Sequence, residues 1–389
     1  MIAKIKQLAE SIFDEVVSIR RHLHKNPELS FNEYKTSAYI KSVLSGWDIP
    51  FTEDIADTGI VVLLKGNNPS SKTIALRADF DALPIVEENE VDYCSVNNGV
   101  MHACGHDAHT ASLLGVINIL NTLKTEWEGS IKFIFQPAEE MLPGGAQQMI
   151  KEGVLDNPKV EKMLGQHVFP DLEVGKVGFR PGIYMASTDE LHITIKGKGG
   201  HAALSEKYNS PLLAAAKLIT ALDEFSKKEK DRPCVLAIGF IEGLGSTNVI
   251  PEQVKLKGTL RAMNEDFRIK THEKMLVIAN TIAEAYSLII DFDIRKGYPC
   301  LVNDEALAKK SIVFAKEYMG AENVIDLPIR MTAEDFSYYS HQVPSCFYRL
   351  GTAKKSKRIT HGLHTSRFNI DESSLKVGMG LMAYLAIKN

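Results

Sequence analysis

The sequence predicts an α/β protein whose main domain is interrupted by a smaller inserted domain. In the first half, short apolar runs of the kind found in covered, mostly parallel strands alternate with helical patterns. From about residue 185 the pattern changes to alternating apolar and polar residues, which is typical of half-exposed strands. The elements there follow the order β-α-β-β-α-β of a split βαβ sandwich. We therefore expect residues 1–182 and 300–389 to form the main domain and residues 183–299 to form the insertion.

The main domain is predicted from three apolar strands and a helix between the first two. The strands lie at 73–79, 131–137 and 162–170, where apolar residues run with few interruptions. Residues 111–124 carry leucine and isoleucine at helical spacing, which indicates a helix. Because strands and helices alternate in this way, we expect an α/β fold with a mixed, mostly parallel sheet.

The inserted domain is predicted from four strands and two helices. In the first strand, Leu191, Ile193 and Ile195 alternate with polar residues, so we expect one face of the strand to be buried. The predicted elements are, in order, a strand at 191–199, a helix at 211–225, strands at 234–243 and 252–263, a helix at 272–286 and a strand at 288–295. After a Gly-Tyr-Pro segment at 297–299, helices and apolar strands resume and could complete the main domain.

The composition excludes several classes of protein. The 389 residues include 45 Lys and Arg against 49 Asp and Glu, so the formal net charge of −4 gives no attraction to nucleic-acid phosphates. The longest apolar run, at 234–241, is too short to cross a bilayer, and the N-terminus has the pattern of a charged amphipathic helix, not of a signal peptide. Five scattered cysteines, an odd number, indicate free thiols. We therefore expect a cytoplasmic protein without nucleic-acid or membrane partners.

A candidate metal-binding segment spans residues 99–115. It places Cys104 and His106 at the entry to a helix, with His102 and His109 nearby. Thiolate and imidazole are good ligands for zinc-like ions, and a helix N-terminus favours the thiolate. No Glu follows His102, so the HExxH pattern of zinc proteases is excluded. Taken alone, the segment would fit a packed cysteine with surface histidines equally well.

Other potential ligands follow or end the predicted strands. Glu139 and Glu140 come just after one strand, His167 lies near the end of another, and Asp79 and Asp81 end a third. In an open α/β sheet, ligands bind at the carboxyl ends of the strands. Two adjacent buried carboxylates repel each other unless a cation is near. One of them could bind metal while the other acts as a general base, although a solvated helix start would also explain the pair.

Two further histidines, His361 and His364, lie near the C-terminus. A single histidine at such a position is usually a surface residue. These two bear on the metal site only if the chain returns to the main domain after the insertion.

In their order along the chain, these segments resemble the M20 family of metallopeptidases and amidohydrolases, in its branch of aminoacylases, hippurate hydrolases and auxin-conjugate hydrolases. Each segment alone is a weak signal, but the ordered set is specific. The resemblance covers nearly the whole chain, through residues 20–33, 76–84, 101–110, 135–140, 197–203, 248–261, 333–339 and 363–372.

The resemblance implies a site for two divalent metal ions, either zinc or manganese. It places the five metal ligands at Cys104, His106, Glu140, His167 and His364, with the thiolate contacting or bridging both ions. It also implies that Glu139 is the catalytic base, which activates a metal-bridging water and then protonates the leaving amine. Asp79 is a candidate for the hydrogen-bond partner that orients a metal-bound histidine, although a turn or capping role is equally plausible.

The resemblance further implies that the insertion is a ferredoxin-like lid that also forms a homodimer. In such a lid, His201 would polarise the scissile carbonyl, and Asn248 and Arg261 match positions near the substrate's carboxylate end or the oxyanion. The segment after His201 departs from the family pattern: Ser205-Glu206 stand where relatives usually have Pro-His, and Ser210 replaces an Asp. Because Glu206 adds negative charge near His201, the resemblance does not define the substrate preference.

The function implied is that of a metal-dependent amidohydrolase acting on the amide bond of N-acyl-L-amino acids or similar small conjugates. A dipeptidase or an N-acetyl-diaminopimelate-type deacetylase could use the same site, and an inactive metal-containing binding protein would keep the same ligands. A nucleotide-binding function is not indicated, because no complete GxGxxG pattern follows a strand and opens a helix.

Overall fold

The computed structural model describes residues 1–228, 233–354 and 361–389. The chain divides into two units, and the second is inserted in the sequence of the first. The first unit consists of Met1–Gly182, Val302–Pro328 and Asp335–Asn389, and the second of Ile183–Leu301 and Ile329–Glu334.

The elements follow one another along the chain in three groups. The first group is α1 (Ile2–Ser11), α2 (Phe13–Lys25), α3 (Tyr34–Gly46), β1 (Phe51–Ile55), β2 (Gly59–Lys65), β3 (Thr73–Asp79), α4 (His106–Thr122), β4 (Ser130–Gln136), α5 (Gly145–Lys151), β5 (Lys162–Glu173) and β6 (Val177–Phe179). The second is β7 (Gly182–Met185), β8 (Asp189–Lys196), β9 (Gly200–His201), α6 (Pro211–Lys228), β10 (Cys234–Glu242), β11 (Val249–Ile250), β12 (Gln253–Ala262), α7 (Glu265–Ala285) and β13 (Ile289–Lys296). The third is β14 (Leu301–Asn303), α8 (Glu305–Met319), β15 (Val324–Asp326), α9 (Ser337–Ser340), β16 (Ser345–Ala353) and α10 (Ser374–Lys388).

The first unit is built on an eight-stranded sheet in the order β1-β2-β4-β3-β5-β16-β6-β15. Its four central strands, β4, β3, β5 and β16, are mutually parallel, whereas β1 and β2 extend the sheet in antiparallel fashion. Every residue of β3 and β4 is buried, which explains why their sequences do not alternate between apolar and polar residues. The prediction of an α/β fold with a large, mostly parallel sheet is confirmed.

Helices cover the sheet of the first unit. Helix α4 is buried along most of its length and contacts α2 and α10. It begins at His106, before the predicted residue 111, because Gly105 takes the left-handed conformation and starts the helix there. Within the described ranges, none of the helices combines the length and the hydropathy that crossing a membrane requires.

The second unit contains a four-stranded antiparallel sheet in the order β10-β12-β8-β13. Its long elements run β8-α6-β10-β12-α7-β13, and buried side chains of β8, among them Ile193 and Ile195, join the apolar core beneath the two helices. Helix α7 begins well before the predicted residue 272, because Asn264 caps it by accepting a hydrogen bond from the Phe267 N–H at 2.9 Å. That this unit acts as a lid or a dimerisation domain stays a prediction.

Candidate metal centre

The candidate site lies at the carboxyl ends of the central parallel strands of the first unit. Strand β3 ends at Asp79, and the Glu139-Glu140 pair follows β4. Because β3 and β4 are parallel neighbours, their carboxyl ends meet at one edge of the sheet. His167 lies in the middle of the longer β5, not near its end as predicted, and the pairing of Arg77 with Gly165 brings this part of β5 level with the end of β3. The fold thus brings together segments that are far apart in the sequence.

The five predicted ligands cluster around the Cys104 thiol. Its Sγ lies 3.5 Å from Nε2 of His167 and 3.3 Å from Nε2 of His364. Oε1 of Glu140 lies 3.2 Å from Nε2 of His364 and 3.9 Å from Nε2 of His106. Sulfur, imidazole and carboxylate donors thus face one another at distances that a small number of metal ions could bridge.

Glu139 borders the same cluster. His106, Glu139 and Glu140 offer ligand atoms that all lie within 4.8 Å of one another. The Glu139 carboxylate is buried and accepts a hydrogen bond from the backbone N–H of Asp335 at 3.4 Å. The predicted base therefore stands beside the predicted ligands.

A strained turn presents the two adjacent glutamates. Ala138 has a φ of 52°, in the left-handed region that residues other than glycine rarely adopt. Two hydrogen bonds of 2.9 Å hold this turn: the Ala138 N–H donates to the Glu33 carboxylate, and the Gly145 N–H donates to the Ala138 carbonyl. Gly145 is required because a Cβ there would lie 1.9 Å from the Pro137 carbonyl oxygen. The role of Glu33 was not predicted from the sequence. Burial and the negative charge of Asp81 raise the pKa of the Glu33 carboxyl to about 7.

Gly105 sets the angle between Cys104 and His106. Its φ is 84°, and a Cβ at this position would lie 2.5 Å from Cγ2 of Val168. Only glycine accommodates both the left-handed backbone and the close contact with Val168 without strain. The local sequence Cys-Gly-His therefore lets the side chains of two predicted ligands point to the same site from the start of α4.

We expect Gly105→Ala to lower the free energy of unfolding of the metal-free protein by about 1–2 kcal/mol for the left-handed backbone and by about 1–3 kcal/mol more for overpacking against Val168. Gly99→Ala is the matched control, because Gly99 has a φ of 83° and no atom of the described residues beyond its chain neighbours lies within 4 Å of its Cβ position. Urea denaturation of both variants measures the difference. Equal losses for the two variants would contradict the assigned role of the Val168 contact.

His106 is oriented by Asp81, not by Asp79. Its Nδ1 lies 3.1 Å from Oδ1 of Asp81 and 2.9 Å from the Asp81 carbonyl oxygen. Asp79 contacts a different ring, since its Oδ1 lies 2.5 Å from Nδ1 of His109, which is not among the predicted ligands. Both aspartates were predicted at the strand end, but the sequence does not show which carboxylate contacts which histidine.

Asp81 also holds the loop that carries Glu140. Its Oδ2 accepts hydrogen bonds from the Glu140 N–H at 2.9 Å and from Oγ of Ser30 at 2.7 Å. Burial disfavours the ionised form of Asp81, but its bonds with His106 and Ser30 hold its pKa below the ordinary value. One carboxylate therefore positions two predicted ligands.

We expect Asp81→Asn to weaken metal binding by about 10- to 100-fold, the usual effect of losing a partner that orients a ligand. The two oxygens of the Asp81 carboxylate both accept hydrogen bonds, whereas the asparagine amide has one acceptor oxygen and one donor NH₂ group. The NH₂ group would therefore face either His106 or the Glu140 N–H, and both of these groups need an acceptor. Titration of the metal-free protein with Zn²⁺ measures the effect. Ser30→Ala, which removes only one donor to Asp81, is the control and should bind Zn²⁺ nearly as well as the wild type.

The donor set fits divalent cations. Nε2 of His106 is buried and has no hydrogen-bond partner among the residues that the structure describes. Burial opposes a charge on this ring, yet Asp79, Asp81 and Glu140 raise its pKa to about 10, which shows how strongly the site favours positive charge. An unpartnered imidazole nitrogen facing carboxylates is the arrangement that a metal ion satisfies.

The environments of Cys104 and His167 are consistent with this fit. Burial and the carboxylates of Glu140, Glu139 and Asp79 raise the pKa of the Cys104 thiol well above its ordinary value. Divalent cations in the cluster would reverse that effect, because positive charge favours the thiolate. Burial, Arg349 and His109 hold the pKa of His167 well below its ordinary value, which favours the neutral form of the ring that a metal ligand must have.

The remaining predicted site residues belong to the second unit. His201 lies on β9 opposite Val249 of β11; it is exposed, and its Nδ1 accepts a hydrogen bond from the Ala203 N–H at 3.2 Å. The carbonyl of Asn248 accepts a hydrogen bond from the Ala202 N–H at 2.9 Å, so the structure brings His201 and Asn248 to the same two-stranded antiparallel sheet. Arg261 lies on β12, where burial lowers its pKa.

Comparison with known proteins identifies the family. Residues 75–388 match peptidase family M20/M25/M40. N-acetyl-L-cysteine deacetylase of Bacillus subtilis is 36% identical over 363 residues, which cover 93% of this chain and 85% of the relative. N-acyl-L-amino acid amidohydrolase of Geobacillus stearothermophilus is 38% identical over 303 residues, which cover 77% of this chain and 81% of the relative.

A solved structure agrees with these matches. The crystal structure of a dinuclear metal-binding peptidase of the M20 family from Bacillus subtilis is similar to this structure, with a TM-score of 0.82 and 33% identity over 97% of this chain and 98% of that chain. The resemblance indicated by the sequence motifs is confirmed: the chain belongs to peptidase family M20/M25/M40.

Proposed function

We propose that this protein, a hydrolase of the M20 family that acts on amides, cleaves the amide bond of N-acyl-L-amino acids or similar small conjugates. The observation that carries the proposal is the clustering of four other candidate metal ligands around Cys104, with the Glu139 carboxylate beside them. The names of the two relatives, an N-acetyl-L-cysteine deacetylase and an N-acyl-L-amino acid amidohydrolase, support the substrate class.

The proposed cofactor is a pair of divalent ions, zinc or manganese. Cys104, His106, Glu140, His167 and His364 would hold them; thiolate and imidazole donors favour zinc. When bound, such ions polarise carbonyl oxygens and make water more acidic. The dinuclear site named for the structurally similar Bacillus peptidase supports the number of ions.

Glu139 is the proposed general base. Its carboxylate takes a proton from the attacking water and later delivers that proton to the leaving amine, so that one residue serves both half-reactions. The Asp335 N–H holds the carboxylate in place at 3.4 Å. Asp81 keeps the neighbouring Glu140 in its own position, so the two adjacent glutamates divide the work of base and ligand.

The second unit is proposed to be a ferredoxin-like lid, with residues 183–299 as its core, and to form a homodimer. In this proposal, His201 donates a hydrogen bond to the oxyanion, and Asn248 and Arg261 contact the substrate. The exposure of His201 supports the proposal, because a residue that meets substrate must be accessible.

A substrate panel on the metal-reconstituted enzyme tests the function. We expect hydrolysis of N-acetyl- and N-benzoyl-L-amino acids and loss of that activity on removal of the metal with a chelator. Hydrolysis of dipeptides alone would show that the substrate class is wrong. No hydrolysis of any substrate by protein with two ions per chain would overturn the proposed activity.

A further inference from the structure

His109 is a buried histidine of α4 whose two ring nitrogens both have partners inside the protein. Nδ1 lies 2.5 Å from Oδ1 of Asp79, and Nε2 accepts a hydrogen bond of 2.9 Å from the backbone N–H of Val168. Because a backbone N–H can only donate, Nε2 must be the unprotonated nitrogen, and Nδ1 carries the proton that is donated to Asp79. The protein therefore holds this ring in a single tautomer.

This tautomer excludes His109 as a metal ligand. Asp79, His106 and His109 have ligand atoms within 4.8 Å of one another, which by distance alone resembles a metal site. However, the lone pair of Nε2 is taken by the Val168 N–H, and Nδ1 carries its proton toward Asp79. His109 can therefore act only through its neighbours.

The neighbour that His109 holds is the backbone directly after His167. The Val168 N–H donates to His109, while the Val168 carbonyl accepts from Nδ1 of His167 at 2.7 Å. The two imidazole rings also pack against each other, with centroids 4.5 Å apart and planes at 60°. Nε2 of His167 is left facing Sγ of Cys104 at 3.5 Å.

Asp79 is itself firmly anchored. Its Oδ2 accepts a hydrogen bond from Arg77, and its carbonyl accepts one from Oγ1 of Thr110 at 2.8 Å. Arg77 also donates to Oδ1 of Asp335 at 2.7 Å. A continuous series of buried hydrogen bonds thus runs from Asp335 through Arg77, Asp79 and His109 to the backbone N–H of Val168, directly after His167.

We propose that His109, oriented by Asp79, is a positioning residue that fixes His167 so that its Nε2 points to the metal centre. The inference rests on the proposed role of His167 as a ligand. It assigns a function to His109, which lies in the 99–115 segment and is not a predicted ligand. It also explains why the Asp79 carboxylate, at the end of β3, is buried beside the His109 ring.

The test is a titration of the metal-free, full-length protein with Zn²⁺ in competition with a chromophoric chelator. His109→Leu should weaken Zn²⁺ binding by about 10- to 100-fold. His109→Gln should recover most of that loss, because its Oε1 can accept from the Val168 N–H. His109→Asn should not recover the loss, because the shorter asparagine side chain can donate to Asp79 but cannot reach the Val168 N–H. Equal affinities of the Gln and Asn variants would overturn the inference, even if the Leu variant does not fold.

A double variant separates positioning from a general loss of stability. If His109 acts through His167, then adding His109→Leu to His167→Ala should cause no further loss of Zn²⁺ affinity. His272→Leu is the matched control: His272 is a buried histidine of the second unit, 2.6 Å from a carboxylate oxygen of Asp189. This variant should lower stability and leave Zn²⁺ affinity unchanged.

The outcomes distinguish this inference from the proposed function. If His167→Ala leaves Zn²⁺ affinity unchanged, the ligand assignment is wrong and the role of His109 falls with it. If His167→Ala weakens binding but His109→Leu does not, or if the two losses add, the role of His109 alone is overturned.

Discussion

Glu139→Gln is expected to lower kcat for an N-acyl-L-amino acid by about 10²- to 10⁴-fold, the usual contribution of a general base. The substitution keeps the size of the side chain and an oxygen that can accept the Asp335 N–H. It removes only the ability to take a proton from water. The kcat should be measured on protein whose metal content has been determined, because the expected loss occurs at full occupancy.

Glu140→Gln is the matched comparison, since it makes the same chemical change at the next residue. Glu140 faces His364 and His106 at 3.2 and 3.9 Å, so its replacement should reduce metal content before it affects turnover per bound metal. We therefore expect Glu139→Gln to retain metal and lose turnover, and Glu140→Gln to lose metal. Near-wild-type turnover by metal-loaded Glu139→Gln protein would overturn the proposed mechanism.

The sheet of the first unit could be predicted from sequence because its central strands are covered on both faces. Strands β3 and β4 are buried at every position, so their apolar runs stand out without any knowledge of their partners. The start of α7 was not predicted, because the first turn of this helix carries no apolar pattern. Its first turn begins at Asn264 through a capping hydrogen bond, and the apolar periodicity appears only later in the helix.

The composition of the candidate site could also be predicted, but its hydrogen bonding could not. Each proposed ligand follows or ends a recognisable segment, and the order of those segments is informative even when each is weak. Asp79 and Asp81, in contrast, lie two residues apart and are chemically identical. Only side-chain geometry shows that one carboxylate bonds to His109 and the other to His106. The role of Glu33 was missed because it depends on the backbone of a turn far away in sequence.

His364 can belong to the candidate metal centre because the chain returns to the first unit after the insertion. The His364 N–H donates to the Ala103 carbonyl at 2.8 Å, which places the ring beside the segment that carries Cys104. Its Nε2 then lies 3.3 Å from the Cys104 thiol and 3.2 Å from Glu140. With a φ of 61°, this residue has a backbone conformation that few residues other than glycine adopt. A ring held in this way beside a thiol and a carboxylate is well placed for the proposed role as a metal ligand.

His364→Ala is therefore expected to weaken Zn²⁺ binding by more than about 100-fold, since even the loss of a partner that orients a ligand costs about 10- to 100-fold. His364→Asn separates lost ligation from backbone strain, because asparagine tolerates the left-handed conformation but cannot reach the cluster. Competition titration with Zn²⁺ should give similar losses for both variants. His361→Ala, at an exposed histidine of the same segment, should bind Zn²⁺ like the wild type. If Zn²⁺ affinity fell in the Ala variant but not in the Asn variant, backbone strain would account for the loss, and His364 would have no role as a ligand.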